Sequence, residues 1–159
     1  MKVTILAFGS LSEPFWSDAV SEYVKRLSRI SPLTIIQLPE SRLPNNPSSG
    51  EIRAALSREA ALMLPKIPPR AYVAALCIEG KLLSSEELSA QMDRAALGGY
   101  SEFCFLIGSS YGLDDSVKDR ADLKLSFSRM TFPHQLARVM LCEQIYRAAQ
   151  ISRGSAYHK

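Results

Sequence analysis

A chain of 159 residues, 47% hydrophobic, 22% charged and with a formal net charge of +3, has the composition of a globular protein and is neither disordered nor fibrous. One domain of this length buries about 70% of its unfolded surface, so it needs no staples and leaves no room for a separate substrate domain. Its three cysteines, Cys77, Cys104 and Cys142, lie in the apolar settings AALCI, EFCFLI and VMLCEQI, which excludes a disulfide scaffold and reads as reduced thiols of a cytoplasmic protein.

Lys2–Phe8 is an apolar run that Gly9 interrupts, too short for a secretory or membrane segment, and it predicts a buried strand. A helix follows over Pro14–Arg29, with Ser12 as its N-cap and Phe15, Ala19, Tyr23 and Leu27 on one face. Leu33–Leu38 predicts the second strand. The stretch PESRLPNNPSSG at 39–50 predicts a long exposed loop, since its prolines and asparagines forbid regular structure. A helix over Glu51–Leu64 stops at PKIPPR, and Tyr72–Ile78 is an apolar strand ending in a turn at EGK.

Ser84-Ser85-Glu86-Glu87 is a capping box for a helix reaching Leu97. Phe103–Ile107 is the next strand, GSSYGLDD a loop, Ser116–Ala121 a short helix and Leu123–Phe127 the last strand. Pro133 opens a long helix to Ala149, and the polar tail ISRGSAYHK is expected to fray. Strands that are apolar throughout imply burial on both faces, hence an α/β domain with a mostly parallel sheet covered by helices.

In such a sheet ligands sit beyond the carboxyl ends of the strands, which directs attention to Leu76–Lys81, Gly108–Asp115 and Phe127–His134. No GxGxxG and no P-loop occurs, and two histidines without CxxC or HxxxH spacing give no metal site. Gly108-Ser109-Ser110-Tyr111-Gly112 fits GxSxG, with Asp114 or Asp115 and then His134 in the order of a serine hydrolase triad. Ser110 would be its nucleophile, yet GLDD lengthens the turn that a nucleophile elbow requires to be tight. Residues 118–159 carry eight Lys and Arg against three acids, while the rest carry eleven against thirteen. A basic end on a near-neutral body suits a polyanion such as nucleic acid, and a non-catalytic RNA-binding protein is a further alternative.

LCIEGK (76–81), IGSSYGL (107–113), LSFSRMTFPHQLARVMLCEQIYRA (125–148) and the terminal YHK (157–159) resemble the RlmH family, small SPOUT-class methyltransferases of bacterial large-subunit rRNA. The resemblance spans essentially the whole chain and departs from the family pattern at Cys77 and Ser109. It implies a single SPOUT domain over residues 1–159 with a C-terminal trefoil knot, a homodimer, and S-adenosylmethionine (AdoMet) as methyl donor. It further implies methylation at N3 of a pseudouridine in an rRNA hairpin loop of the assembled ribosome, with no membrane and no metal.

Carried over by residue, the resemblance implies that Leu76, Gly108, Phe127, Ser128, Arg129, Met130, Thr131 and Phe132 contact the cofactor. His134, Arg138 and His158 are the expected catalytic residues. His134 starts a helix whose positive end favours the neutral, base-competent imidazole, although it could instead cap that helix. Arg138, Arg129, Arg147 and Lys159 would contact phosphates, with Arg138 and Glu143 also open to a structural role, and Tyr157 would stack on a flipped base.

Overall fold

The computed structural model of the protein describes residues 1–157 in full and residue 158 by its backbone. Lys159 and the side chain of His158, two expected site groups, lie outside the described residues.

In chain order the elements are β1 (Lys2–Phe8), α1 (Pro14–Leu27), β2 (Leu33–Leu38), α2 (Ser49–Met63), β3 (Ala71–Leu82), α3 (Ser85–Leu97), β4 (Glu102–Ile107), α4 (Asp115–Arg120), β5 (Leu123–Ser126) and α5 (His134–Ser152). Short 3-10 turns occupy Leu64–Lys66 and Ala156–His158. All five strands pair in parallel, in the order β2-β1-β4-β3-β5.

Alternate residues divide the sheet between two cores. Val3, Ile5, Phe103 and Phe105 point to the layer of α1, α3 and α5, while Leu6, Phe8, Cys104 and Leu106 point to the layer of α2 and α4. Each of these eight is at most 1% exposed, so both faces are dry and the strand sequences show no polar alternation. Burying one such Phe or Leu contributes roughly 1.5–3 kcal/mol, which makes the central pair β1 and β4 the stable centre of the domain.

Several local expectations are corrected. Ser12 does not cap α1: Glu13 holds that position without a side-chain bond, and the Ser12 N–H donates instead to Gln135 Oε1 at 2.8 Å, tying the loop after β1 to the start of α5. Helix α2 begins earlier than predicted because Ser48 and Glu51 form a capping box, with the Ser48 N–H donating to Glu51 Oε2 at 2.8 Å. The loop before it is held, since the Ser41 N–H donates to the buried Glu59 carboxylate at 2.8 Å. The tail up to residue 157 does not fray. Gly154, at φ +67°, reverses the chain, and Tyr157 packs edge-on against Tyr146 with ring centroids 4.8 Å apart.

The largest departure is at EGK. β3 does not turn there but continues past a bulge, so Leu125 of β5 is in register with Leu76 before the bulge and with Lys81 after it. Residues 77–80 therefore bow around β5. Gly80 makes this crossing possible: a Cβ there would stand 2.6 Å from the Leu125 carbonyl carbon and 2.7 Å from the Lys124 carbonyl carbon.

Candidate functional site

Three post-strand segments meet at the carboxyl ends of β4, β3 and β5 and enclose a cavity of about 750 Å³. Each is shaped by a local rule. After β4, Gly112 at φ +88° closes a turn in which its N–H donates to the Ser109 carbonyl at 2.9 Å. The turn folds so tightly that a Cβ on Gly108 would lie 2.2 Å from the Gly112 oxygen, so GSSYG is a packing motif. After β5, the Ser126 hydroxyl donates to the Ser128 carbonyl at 2.9 Å, and the Met130 N–H donates to Ser128 Oγ at 3.0 Å, which turns the chain toward Pro133 and α5.

Of the expected cofactor residues, Leu76, Gly108, Phe127, Ser128, Met130, Thr131 and Phe132 all line the cavity, and Arg129 does not. Ile78, Tyr111 and Met130 are 65, 47 and 71% exposed and stand around the mouth. Large apolar side chains left open around a concave site mark a place where a ligand covers them. Lys118 Nζ and Glu79 Oε1 form a 2.6 Å ion pair on the wall, each strengthening the charge of the other: the Glu79 carboxyl is held below its ordinary value and the Lys118 ammonium above its own. Cys77 also lines the cavity, and burial pushes its thiol up, away from a reactive thiolate. Cys104 and Cys142 are buried more deeply and are pushed up to about 12. Among the described residues, no group of three or more His, Cys, Asp or Glu could hold a metal ion.

His134 lines this cavity and also a smaller recess at the ends of β1 and β2. Arg138, one turn along α5, lies elsewhere than expected. It has no exposed surface, and its Nη2 donates to the carbonyl oxygens of Phe8 and Gly9 at 3.0 and 2.9 Å. Its Nε and Nη1 are buried without partners among the described residues, and burial holds the guanidinium below its ordinary value. In this chain it clamps the end of β1 and cannot meet a phosphate. Arg147 and Tyr157 come together, the guanidinium carbon 5.1 Å from the ring centroid, while Arg147 also pairs with Glu143 at 2.6 Å. Both lie outside the cavity.

The hydrolase alternative finds no triad. The Ser110 hydroxyl donates to Glu40 Oε1 at 3.1 Å and that of Ser109 to Glu59 Oε2 at 2.7 Å, while Asp114 accepts from the Ser116 N–H as the cap of α4. Among the described residues no bond joins His134 to either serine or to an aspartate. Glu40 and Glu59 were not singled out from sequence. Glu40 lies two residues past the end of β2, so extending the carboxyl-end rule to that strand would have found it.

The sequence matches the family described as predicted SPOUT methyltransferase over residues 1–158. In three dimensions the chain is similar to a probable methylase family protein from Haemophilus influenzae Rd KW20, with TM-score 0.55 and 7% identity over 99% of this chain and 70% of that one. It is likewise similar to a probable methyltransferase from Bordetella pertussis Tohama I, with TM-score 0.55 and 10% identity over 93% of this chain and 92% of that one. At such identities the likeness is one of fold. The bowing of β3 around Leu125, the parallel five-stranded sheet and the match over nearly the whole chain lead to one assignment: this chain belongs to the SPOUT methyltransferase family and carries its α/β knot.

Proposed function

We propose that the chain methylates N3 of a pseudouridine in large-subunit rRNA, using AdoMet as donor and acting as a homodimer on the assembled ribosome. The single observation that carries this reading is the convergence of Leu76, Gly108 and the run Phe127–Phe132, Arg129 excepted, on one cavity beside His134.

The residues present fit AdoMet. An adenine needs an apolar slot with main-chain groups at its edges, and Leu76, Met130 and Phe132 with the backbone of Gly108 offer one of suitable volume. When bound, AdoMet supplies a methyl already activated on a sulfonium. The chain's own task is to orient the acceptor, keep the cleft dry and take a proton. A ring imide nitrogen is protonated near neutrality, so its proton must leave as the new N–C bond forms, and His134 is the imidazole at the right wall to accept it.

Two features favour a partner chain. Leu136 and Met140 on α5 remain half-buried, apolar surface that α1 and α3 leave uncovered. The Arg147–Tyr157 pair, suited to a phosphate and a base, lies outside the cavity of its own chain. The basic end of the sequence supports RNA as the partner molecule.

The test combines binding with transfer. AdoMet at saturation should raise the melting temperature and give calorimetric heat. Tritium should then pass from methyl-labelled AdoMet to ribosomes from cells lacking this chain, and neither effect appearing sinks the proposal.

A further inference from the structure

A second recess, about 610 Å³, adjoins the main cavity at the carboxyl ends of β1 and β2, and His134 forms the wall between them. Its floor is Gly9, and Gln37, Glu40 and Ser10 complete it. Two side-chain atoms converge above that floor. Glu40 Oε2 lies 3.2 Å and His134 Nε2 3.5 Å from the point that a Cβ on Gly9 would occupy. Gly9, at φ +76°, leaves the point open, and Arg138 fixes the floor by holding the Gly9 carbonyl.

Glu40 is aimed rather than free to wander. Its Oε1 accepts from the N–H and the hydroxyl of Ser110, at 3.2 and 3.1 Å, so Oε2 is turned toward Gly9. Among the described residues nothing donates to Oε2, no ion pair involves Glu40, and no bond joins Oε2 to His134 Nε2. The recess thus sets an imidazole nitrogen beside the methyl-donor cavity opposite a carboxylate oxygen further out, across one gap. A carboxylate repels phosphate and accepts from N–H groups, so the gap suits the N–H-bearing edge of a ring.

A uracil ring joined to its sugar through N1 has one N–H to give. Joined through carbon, the same ring has two, one on each side of a carbonyl. We propose that Glu40 is the specificity-determining residue of this enzyme: its Oε2 accepts the second ring N–H while the first faces His134 Nε2, so a carbon-linked uracil is preferred to the ordinary nitrogen-linked one. This rests on the methyltransferase reading above and adds a residue to it. A site built around an acceptor discriminates strongly against a ring lacking the donor, because the carboxylate is then left desolvated and unpaired.

The experiment compares kcat/KM for methyl transfer from labelled AdoMet to two ribosome preparations. One comes from cells lacking this chain, the other from cells lacking both this chain and the synthases that convert the target uridine. The native protein should prefer the first by about tenfold to a hundredfold. Glu40→Ala should bring that ratio close to one with AdoMet affinity unchanged, and Glu40→Gln, which keeps an acceptor oxygen, should fall between. Should the alanine variant not fold, the glutamine variant still has to lower the ratio, by about threefold.

A native protein that methylates both ribosomes alike, or a Glu40→Ala variant with its preference intact, overturns the inference and leaves the methyltransferase reading standing. So does a loss of AdoMet affinity in Glu40→Ala equal to the loss of turnover, which would make Glu40 only a prop for Ser110. Failure of the native protein to bind AdoMet or to modify either ribosome overturns both together.

Discussion

Arg138 and Gly9 are joined from beneath the site: the fully buried guanidinium donates to the Gly9 carbonyl oxygen at 2.9 Å and, from the same nitrogen, to that of Phe8 at 3.0 Å. One long side chain on α5 thereby ends β1 and levels the floor on which His134 and Glu40 face each other. Arg138→Ala leaves two carbonyls unpaired and a hole behind them, at a cost of about 3–5 kcal/mol, or roughly 10 °C in melting temperature. Arg138→Met keeps most of the volume and removes a buried charge, so its loss should be smaller. Calorimetric melting checks both, and an alanine variant as stable as the native protein would dismiss the clamp.

Gly80 permits the crossing of β3 over β5. Gly80→Ala puts a methyl 2.6 Å from the Leu125 carbonyl carbon, and neither backbone can yield without breaking the pairing of Leu76 and Lys81. The expected loss is about 3 kcal/mol or more. Gly50→Ala, in the first turn of α2 with no atom closer than 3.9 Å to the new methyl, should be neutral or slightly stabilising. Equal melting temperatures for the two variants would contradict the crossing geometry.

Affinity and turnover should separate within the main cavity. Phe132→Ala removes an apolar wall and should weaken AdoMet binding about tenfold by titration calorimetry. His134→Ala should leave AdoMet affinity within about twofold and lower kcat by about 10²–10⁴. A His134 variant that loses both in proportion would mark that residue as structural.

The Lys118–Glu79 pair gives the cavity wall an acid dependence. Because Lys118 holds the Glu79 carboxyl below its ordinary 4.5, the pair's stabilisation is present above that value and fades as the pH falls through the lower, folded one. Glu79 is more than half exposed, so the effect is under about 1 kcal/mol. The melting-temperature gap between the native protein and Glu79→Gln should therefore be small at neutral pH and vanish once the pH falls below the lowered, folded value of Glu79. A gap that widens on acidification would reverse the assignment.

Much of this was readable in residue order, and the exceptions share a cause. The strands of the sheet, the capping box at Ser84 and the three segments around the cavity follow from apolar runs, caps and the carboxyl-end rule, all local signals. Arg138 looked like a phosphate contact because a sequence shows its charge and not the two carbonyls, some 130 positions away, that it serves. No sequence motif marks Glu59, yet it is buried and bonds both Ser41 and Ser109. EGK has turn composition, and only the neighbouring β5 backbone explains why the glycine is there. The knot came from family resemblance, since threading leaves no periodicity in a chain and general experience argues against it.

Leu125 is gripped by β3 on both sides, at Leu76 and Lys81, which sets an order of events in the life of the chain. During synthesis the residues of β3 emerge before Leu125, so both of its partners on β3 are already made when β5 arrives between them. Breakdown has a polarity for the same reason. A protease drawing the chain in from its carboxyl end meets the double pairing of Leu125 with Leu76 and Lys81 as soon as α5 has been stripped away. One drawing from the amino end first strips β1 from the middle of the sheet before reaching it.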